Sequence, residues 1–200
     1  MILLSPVYFP STIAASTYQI VIDLWILSEI VGMIIIPRIR RRGTVIKSRD
    51  RGSIILLFVT IGVCLSLATY FATFKIAMLP SWVFYPGIVL MILGIILRQW
   101  SMLVLGRFFS AAVGIQEGQF VVENGPYKYV RHPSYTGFLL ILIGVGLAFQ
   151  SWGAVISIIL LFTLAYGYRI HIEEKALISE LGEQYIEYEK RTKRLIPYIV

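Results

Sequence analysis

Two short stretches of this sequence gather side chains that could do chemistry. The first, GPYKYVRHPSYTGF, runs from Gly125 to Phe138 and contains Tyr127, Arg131, His132, Pro133, Tyr135 and Gly137. The second opens with RIHIEEK and supplies Arg169, Glu173 and Glu174. Proline suits the first position of a helix, so Pro133 predicts a helix start with His132 near its N-cap. Free backbone N–H groups and the positive end of the helix dipole would there suit a carboxylate or phosphate. Tyr135 follows His132 by about one turn, which puts both side chains on one face. Gly137 leaves room beside them for a ligand or a second helix. Arg169 and Glu173 are four apart, so they either pair with each other on a helix or divide the work. In the second case the arginine clamps a carboxylate while the acidic pair takes an ammonium or a ribose.

Those residues are embedded in a chain that is 58% hydrophobic, far above a soluble domain of 200 residues. This composition predicts an all-α polytopic membrane protein. About 20 apolar residues are needed to cross a bilayer, and five stretches qualify. They are Thr17 to Ile36, Ser53 to Phe74, Trp82 to Leu105, Ser134 to Phe149 and Gly153 to Tyr168, the last two joined by the tight turn QSWG. Residues 1–105 thus hold three N-terminal crossings. Residues 106–200 hold the helical hairpin and both chemical stretches. The first loop concentrates Arg38, Arg40, Arg41, Arg42, Lys47, Arg49 and Arg51 against Asp50, which predicts a cytoplasmic loop and an N-terminus outside. Five crossings then bring the loop 106–133 and the C-terminal tail to the same cytoplasmic side. In that tail Ala176, Leu177, Leu181, Tyr185 and Tyr188 recur at helical spacing, as in an amphipathic helix lying on the membrane face. Glu180, Glu183, Glu187 and Glu189 would form its solvated side.

The excess of 18 Lys and Arg over 11 Asp and Glu needs no nucleic-acid partner, because loop charges that orient the membrane explain it. Contact of the basic loop with anionic membrane lipids is a secondary role. Cys64 is the single cysteine and reads as a small core residue. The first fifteen residues carry no positive charge and no cleavage pattern, so the first crossing is expected to act in targeting. Asp23, Glu29 and Arg98 fall inside crossings, where a charge must be paired or near an edge. Arg98, in the cytoplasmic half of the third crossing, could reach the chemical residues. Asp23 and Glu29 divide between helix pairing and an accessory role. No nucleotide-binding or zinc motif is present, and His132 and His171 alone do not make a metal site. Two histidines could ligate a haem only if they met in space.

The joined pattern, GPYKYVRHPSYTGF followed by EEKALISELGEQYIEYEKRTKRLIP, resembles the isoprenylcysteine carboxyl methyltransferase family, which is related to phospholipid N-methyltransferases. The resemblance begins at LGRFFS and covers Leu105 to Pro197. It implies a membrane enzyme that uses S-adenosylmethionine at its cytoplasmic face and admits a lipidic or isoprenylated substrate through a groove between helices. On the same ground Tyr127, Arg131, His132, Pro133, Tyr135, Gly137, Glu173 and Glu174 would belong to the cofactor site. Arg169 would orient the substrate, with Arg98 in reach and Glu173 as a second catalytic residue. Methyl transfer from a sulfonium is an in-line displacement governed by positioning and water exclusion. An ionised carboxylate acceptor needs only a cation to hold it, whereas a lipid amine needs a base such as Glu173. Two other readings remain at this level. One is an NADPH-dependent enzyme of the sterol-reductase type, which shares the RHPxY element; the other is a non-enzymatic lipid- or haem-binding protein.

Overall fold

The fold was described from a computed structural model, which places residues 9–35, 45–50, 52–110 and 113–196. Arg38, Arg40, Arg41, Arg42 and Arg51 of the basic loop lie outside the described residues. Helices α1 (Thr12–Ile30), α2 (Gly52–Thr73), α3 (Phe84–Leu105), α4 (Pro133–Ala148), α5 (Trp152–Leu181) and α6 (Glu183–Arg191) follow one another along the chain. The expected helical membrane fold is present, with one addition. Strand β1 (Val45–Asp50) pairs antiparallel with β2 (Val113–Gln116), from Val45 opposite Gln116 to Asp50 opposite Val113. This ribbon joins two polar loops whose composition gave no strand signal.

Four of the helices are long and apolar enough to cross a membrane, and α4, with 16 residues, is shorter. Its burial explains its composition. Pro133, Ser134, Gly137, Phe138, Ile141, Leu142, Gly144, Val145, Gly146 and Ala148 are all buried, so this is the central helix and it shows no polar face. It packs most closely on α3. A Cβ on Gly137 would stand 2.7 Å from the Gly94 carbonyl oxygen, and one on Gly144 would stand 2.6 Å from that of Gly87. Two glycine pairs, seven residues apart on each helix, therefore let the backbones touch. The division at residue 105 separates α3 from α4 in sequence, yet they form the tightest seam of the fold.

The outer faces carry Phe58, Val59, Val89, Leu93, Ile96, Leu160 and Leu164, all exposed. In a multi-pass membrane protein these are lipid-facing. Exposed aromatics mark both edges: Tyr70, Phe74, Trp82, Tyr85 and Trp152 at one end, Trp100, Tyr129 and Tyr168 at the other. Along α5 the interval from Trp152 to Tyr168 is about 24 Å at ~1.5 Å per residue, a span that α4 can cover. At the first end Ser151 caps α5 by accepting from the Ala154 N–H, and its hydroxyl donates to the Ile76 carbonyl, so the hairpin is fastened to the α2–α3 connection. The opposite end holds the β-ribbon, the 125–132 segment and the C-terminal tail, so both chemical stretches lie on one side, as the charge pattern predicted.

One boundary differs in a way that matters. The fifth crossing was expected to end at Tyr168, with a separate amphipathic helix after it. Instead α5 continues unbroken through Arg169, Glu173 and Glu174 to Leu181 and stops only where Gly182 adopts a φ of 56°. Helical propensity across HIEEKALISEL carries the crossing past the membrane edge, because straight-chain and alanine residues there favour continuation. Only Glu183–Arg191 forms the final helix, with Tyr185 and Tyr188 buried beneath it. Helix α1 begins at Thr12 rather than Thr17, since Ser11 accepts from the Ala14 N–H at 3.1 Å and caps it.

Candidate active site

His132 is the N-cap of α4 and Pro133 its first residue, as the sequence predicted. The rings of His132 and Tyr135 stack, with centroids 5.3 Å apart and planes 6° from parallel. The main chain at and just before the cap is engaged by the chain itself. The Arg131 and His132 N–H groups donate to the carbonyls of Lys193 and Arg194, at 2.7 and 3.0 Å. The C-terminal tail thus runs as a strap beside residues 130–132, and the Thr136 hydroxyl donates to the Leu195 carbonyl to extend it.

Glu174 ties the strap to the helices. One carboxylate oxygen accepts from Arg131 Nε at 2.8 Å and lies 3.3 Å from His132 Nε2, while the other accepts from Arg194 Nε at 2.9 Å. Arg131 also donates to the carbonyls of Thr192 and Glu189. Burial pushes the phenols of Tyr127, Tyr185 and Tyr188 well above their ordinary range, so they act here as neutral groups. The Tyr188 hydroxyl donates to the Tyr127 carbonyl at 2.7 Å and holds α6 against the 125–128 turn.

Tyr135 is the centre of the second network. Its hydroxyl accepts from Arg169 Nε at 2.7 Å and donates to Glu173 Oε2 at 2.6 Å, so it bridges the two residues. Arg169 also donates to the hydroxyl of Ser53, at the start of α2. A third group lies deeper. Arg98 grips Glu29 with Nε and Nη2, at 2.5 and 2.8 Å, and its Nη1 donates to the hydroxyl and carbonyl of Ser134. Glu29 therefore pairs between helices, the first of its two expected roles, whereas Asp23 is exposed and accepts from Gln19 on its own helix.

These networks face one cavity of about 380 Å³. Its polar end is lined by Gln119, Tyr127, Arg131, His132, Tyr135, Glu173, Tyr185 and Tyr188. Its apolar arm passes between α1 and α2, past Trp25, Ile26, Ile30, Leu57, Phe58 and Ile61. Arg98, Glu29 and Arg169 border it as well. Three expected site residues do not line it: Pro133 starts the helix, Gly137 lies on the α3 seam, and Glu174 stands behind Arg131 and His132. His171 is exposed on α5 while His132 is buried against Glu174. Sequence reading missed Ser53, which resembles an ordinary helix-start serine, and the strap, which resembles a basic tail. Tyr185 and Tyr188 were visible as an apolar face; their approach to the cavity needed the turn at Gly182.

Comparisons with known proteins give a family match and a fold match. Residues 87–179 match the isoprenylcysteine carboxyl methyltransferase (ICMT) family. Protein-S-isoprenylcysteine O-methyltransferase B of Arabidopsis thaliana is 32% identical over 120 residues, which cover 59% of this chain and 61% of that one. The protein-S-isoprenylcysteine O-methyltransferase of Saccharomyces cerevisiae is 34% identical over 115 residues, covering 56% of this chain and 48% of the relative. The matches thus span about three-fifths of the plant protein and about half of the yeast one. A solved structure of the eukaryotic intramembrane Ras methyltransferase ICMT superposes with a TM-score of 0.69 at 25% identity, over 99% of this chain and 70% of that chain.

Proposed function

We propose that this chain is a member of the isoprenylcysteine carboxyl methyltransferase family and that it moves a methyl group from S-adenosylmethionine to the carboxylate of a lipidic, isoprenoid-bearing acceptor. The observation that carries the reading is the position of Tyr135, Arg169 and Glu173 where a polar chamber meets an apolar arm between helices.

The cavity volume falls within the ~300–1,000 Å³ usual for small-molecule sites. Its polar end offers the mixture a nucleoside with a sulfonium and an amino-acid tail would need. Glu173 provides an anion for the ammonium or ribose, His132 and Gln119 provide polar contacts, and Tyr127, Tyr135 and Tyr185 provide aromatic faces for a cation. Bound there, the cofactor supplies an electrophilic methyl group. Glu174 acts from behind by fixing Arg131 and His132.

The acceptor's isoprenoid would occupy the apolar arm, which puts its carboxylate beside Arg169. A carboxylate with an ordinary pKa is ionised at neutral pH and needs no base, only orientation at a reacting distance of about 3–3.5 Å. Arg169 supplies that orientation, and its own direction is set by Tyr135 and Ser53. Helix α6 places Tyr185 and Tyr188 in the wall of the polar chamber, where they would help to keep bulk water from the reacting pair. An amine acceptor would need deprotonation. One oxygen of Glu173, the candidate base for that step, is already engaged by the Tyr135 hydroxyl. The same geometry gives no reason to favour hydride chemistry.

The end of the bundle that bears the site is assigned to the cytoplasm. Among the described connections and tail, Lys128, Arg131, Lys193 and Arg194 lie at that end, while Lys75 lies at the other. The function is tested with purified protein and labelled S-adenosylmethionine. N-acetyl-S-farnesylcysteine should gain one labelled methyl group, and its methyl ester should gain none. Labelled product from phosphatidylethanolamine, with none from the free acid, would overturn the reading.

A further inference from the structure

The cavity holds an ion pair that the proposed transfer does not use. Arg98 is 4% exposed on α3, and Glu29, on α1, meets it in a two-point grip. Trp25 Nε1 lies 3.3 Å from the same Glu29 oxygen, and the remaining guanidinium nitrogen is taken by Ser134. The guanidinium is therefore neutralised before any ligand arrives. An uncompensated buried guanidinium is so costly that it draws in whatever anion can reach it.

Two features make such an anion available. Arg98 lies two residues from Trp100, in the aromatic belt at the site end, which is an axial step of about 3 Å. It thus sits near the level where lipid head groups begin. The apolar arm beside it runs between α1 and α2, where Ile26 and Phe58 are 50% and 67% exposed on the lipid-facing surface. A membrane amphiphile entering tail-first along this arm would bring its head group past Arg98.

We propose that Glu29 is a specificity-determining residue, which by occupying Arg98 prevents anionic membrane amphiphiles from lodging in the cavity and leaves Arg169 to receive the acceptor carboxylate. The inference rests on the methyltransferase reading only for the identity of that acceptor. Removing Glu29 charge converts Arg98 into an anion trap; removing Arg98 charge leaves Glu29 as a trap for cations.

The test compares amphiphiles of one chain and different charge, binding to the full-length protein in zwitterionic phosphatidylcholine nanodiscs without cofactor. The fluorescent probe is cis-parinaric acid, with its uncharged methyl ester as reference and stearylamine as a competing cation. With Arg169 replaced by Gln, which removes the other cation a carboxylate can reach, the otherwise wild-type protein should bind acid and ester within about threefold. Glu29→Gln should tighten the acid at least tenfold and leave the ester unchanged, and adding Arg98→Gln should abolish the gain. Arg98→Gln alone should weaken the acid relative to the ester and make stearylamine the better competitor, which keeps the test decisive if Glu29→Gln does not fold. Folded variants that bind acid and ester as the wild type does would overturn the proposal. So would a tenfold preference for the acid that survives Arg169→Gln while Glu29 is intact. A protein that shows the exchange yet methylates nothing would sink the enzyme reading and leave this inference standing.

Discussion

The Tyr135 hydroxyl accepts a hydrogen bond from Arg169 Nε at 2.7 Å while donating one to Glu173 Oε2 at 2.6 Å. One phenol on α4 thereby fixes two charged residues on α5 that stand one turn apart. Without it the arginine and the glutamate would be free to turn towards each other, as helical neighbours at this spacing do. Tyr135→Phe keeps the ring, its stacking on His132 and its edge contact with Tyr166, and removes only the bridge. Each lost hydrogen bond to a charged group costs about 1.5–3 kcal/mol. Single-turnover methyl transfer should therefore slow at least tenfold, with the loss of thermal stability limited because Arg169 and Glu173 can then pair with each other. An unaltered rate would remove Tyr135 from the machinery.

Arg169 separates binding of the two reactants. It borders the acceptor side of the cavity and is anchored by Ser53 on α2 and by Tyr135 at the edge of the polar chamber. Arg169→Ala should leave S-adenosylhomocysteine affinity within about threefold in calorimetry and reduce transfer by at least a hundredfold, as expected for loss of a positioning contact to a charged group of about 3 kcal/mol. Arg169→Lys should recover only part, since an ammonium cannot reproduce the guanidinium fork. Equal loss of cofactor affinity and rate would place Arg169 in the cofactor site instead.

Much of this arrangement was legible in the residues. Hydrophobic runs gave the helices, and Pro133 gave the start of α4 because its fixed φ is nearly diagnostic there. The charge pattern correctly placed the two chemical stretches at one end. The continuation of α5 to Leu181 was missed because polar residues after Tyr168 end a membrane crossing without ending a helix. The pairing of Glu29 with Arg98 joins residues 69 positions apart, and no local pattern reports such a contact. The strap was hidden for a similar reason. Its main-chain bonds to residues 130–132 do not depend on side-chain identity, so a basic tail and a docked tail look alike in sequence.

That strap yields the next expectation. Glu174 contacts Arg131, His132 and Arg194 together, and its side chain is 5% exposed. Glu174→Gln leaves Arg131 buried without its nearest anion, a loss of about 3–5 kcal/mol for fully buried pairs, reduced here because Arg194 is half-exposed. The melting temperature should fall by several degrees, and limited proteolysis should cut the tail near Lys193 and Arg194 before other sites. A variant that keeps wild-type protease resistance would show that the main-chain bonds alone hold the strap.

The glycine seam tests how far the site depends on its central helix. At Gly137 an added Cβ would meet backbone or near-backbone atoms of α3 on every side: the Gly94 oxygen at 2.7 Å, the Arg98 nitrogen at 2.8 Å and the Arg98 Cβ at 2.9 Å. None of these can rotate away, so α3 and α4 must separate. Overpacking of this kind costs about 1–3 kcal/mol. The shift would occur within one turn of Ser134 and Tyr135, so Gly137→Ala should lower both the melting temperature and the transfer rate although Gly137 does not line the cavity. Gly167→Ala on α5 is the control, because nothing lies within 4 Å of its added methyl. It should be neutral or slightly stabilising, by up to about 1 kcal/mol from helix propensity. If both substitutions behave alike, the close α3–α4 contact is not what sets the geometry of the first turn of α4. If only Gly137→Ala reduces the rate, and cofactor affinity falls less than the rate does, the seam acts by aligning Tyr135 with Arg169 rather than by shaping the cofactor chamber.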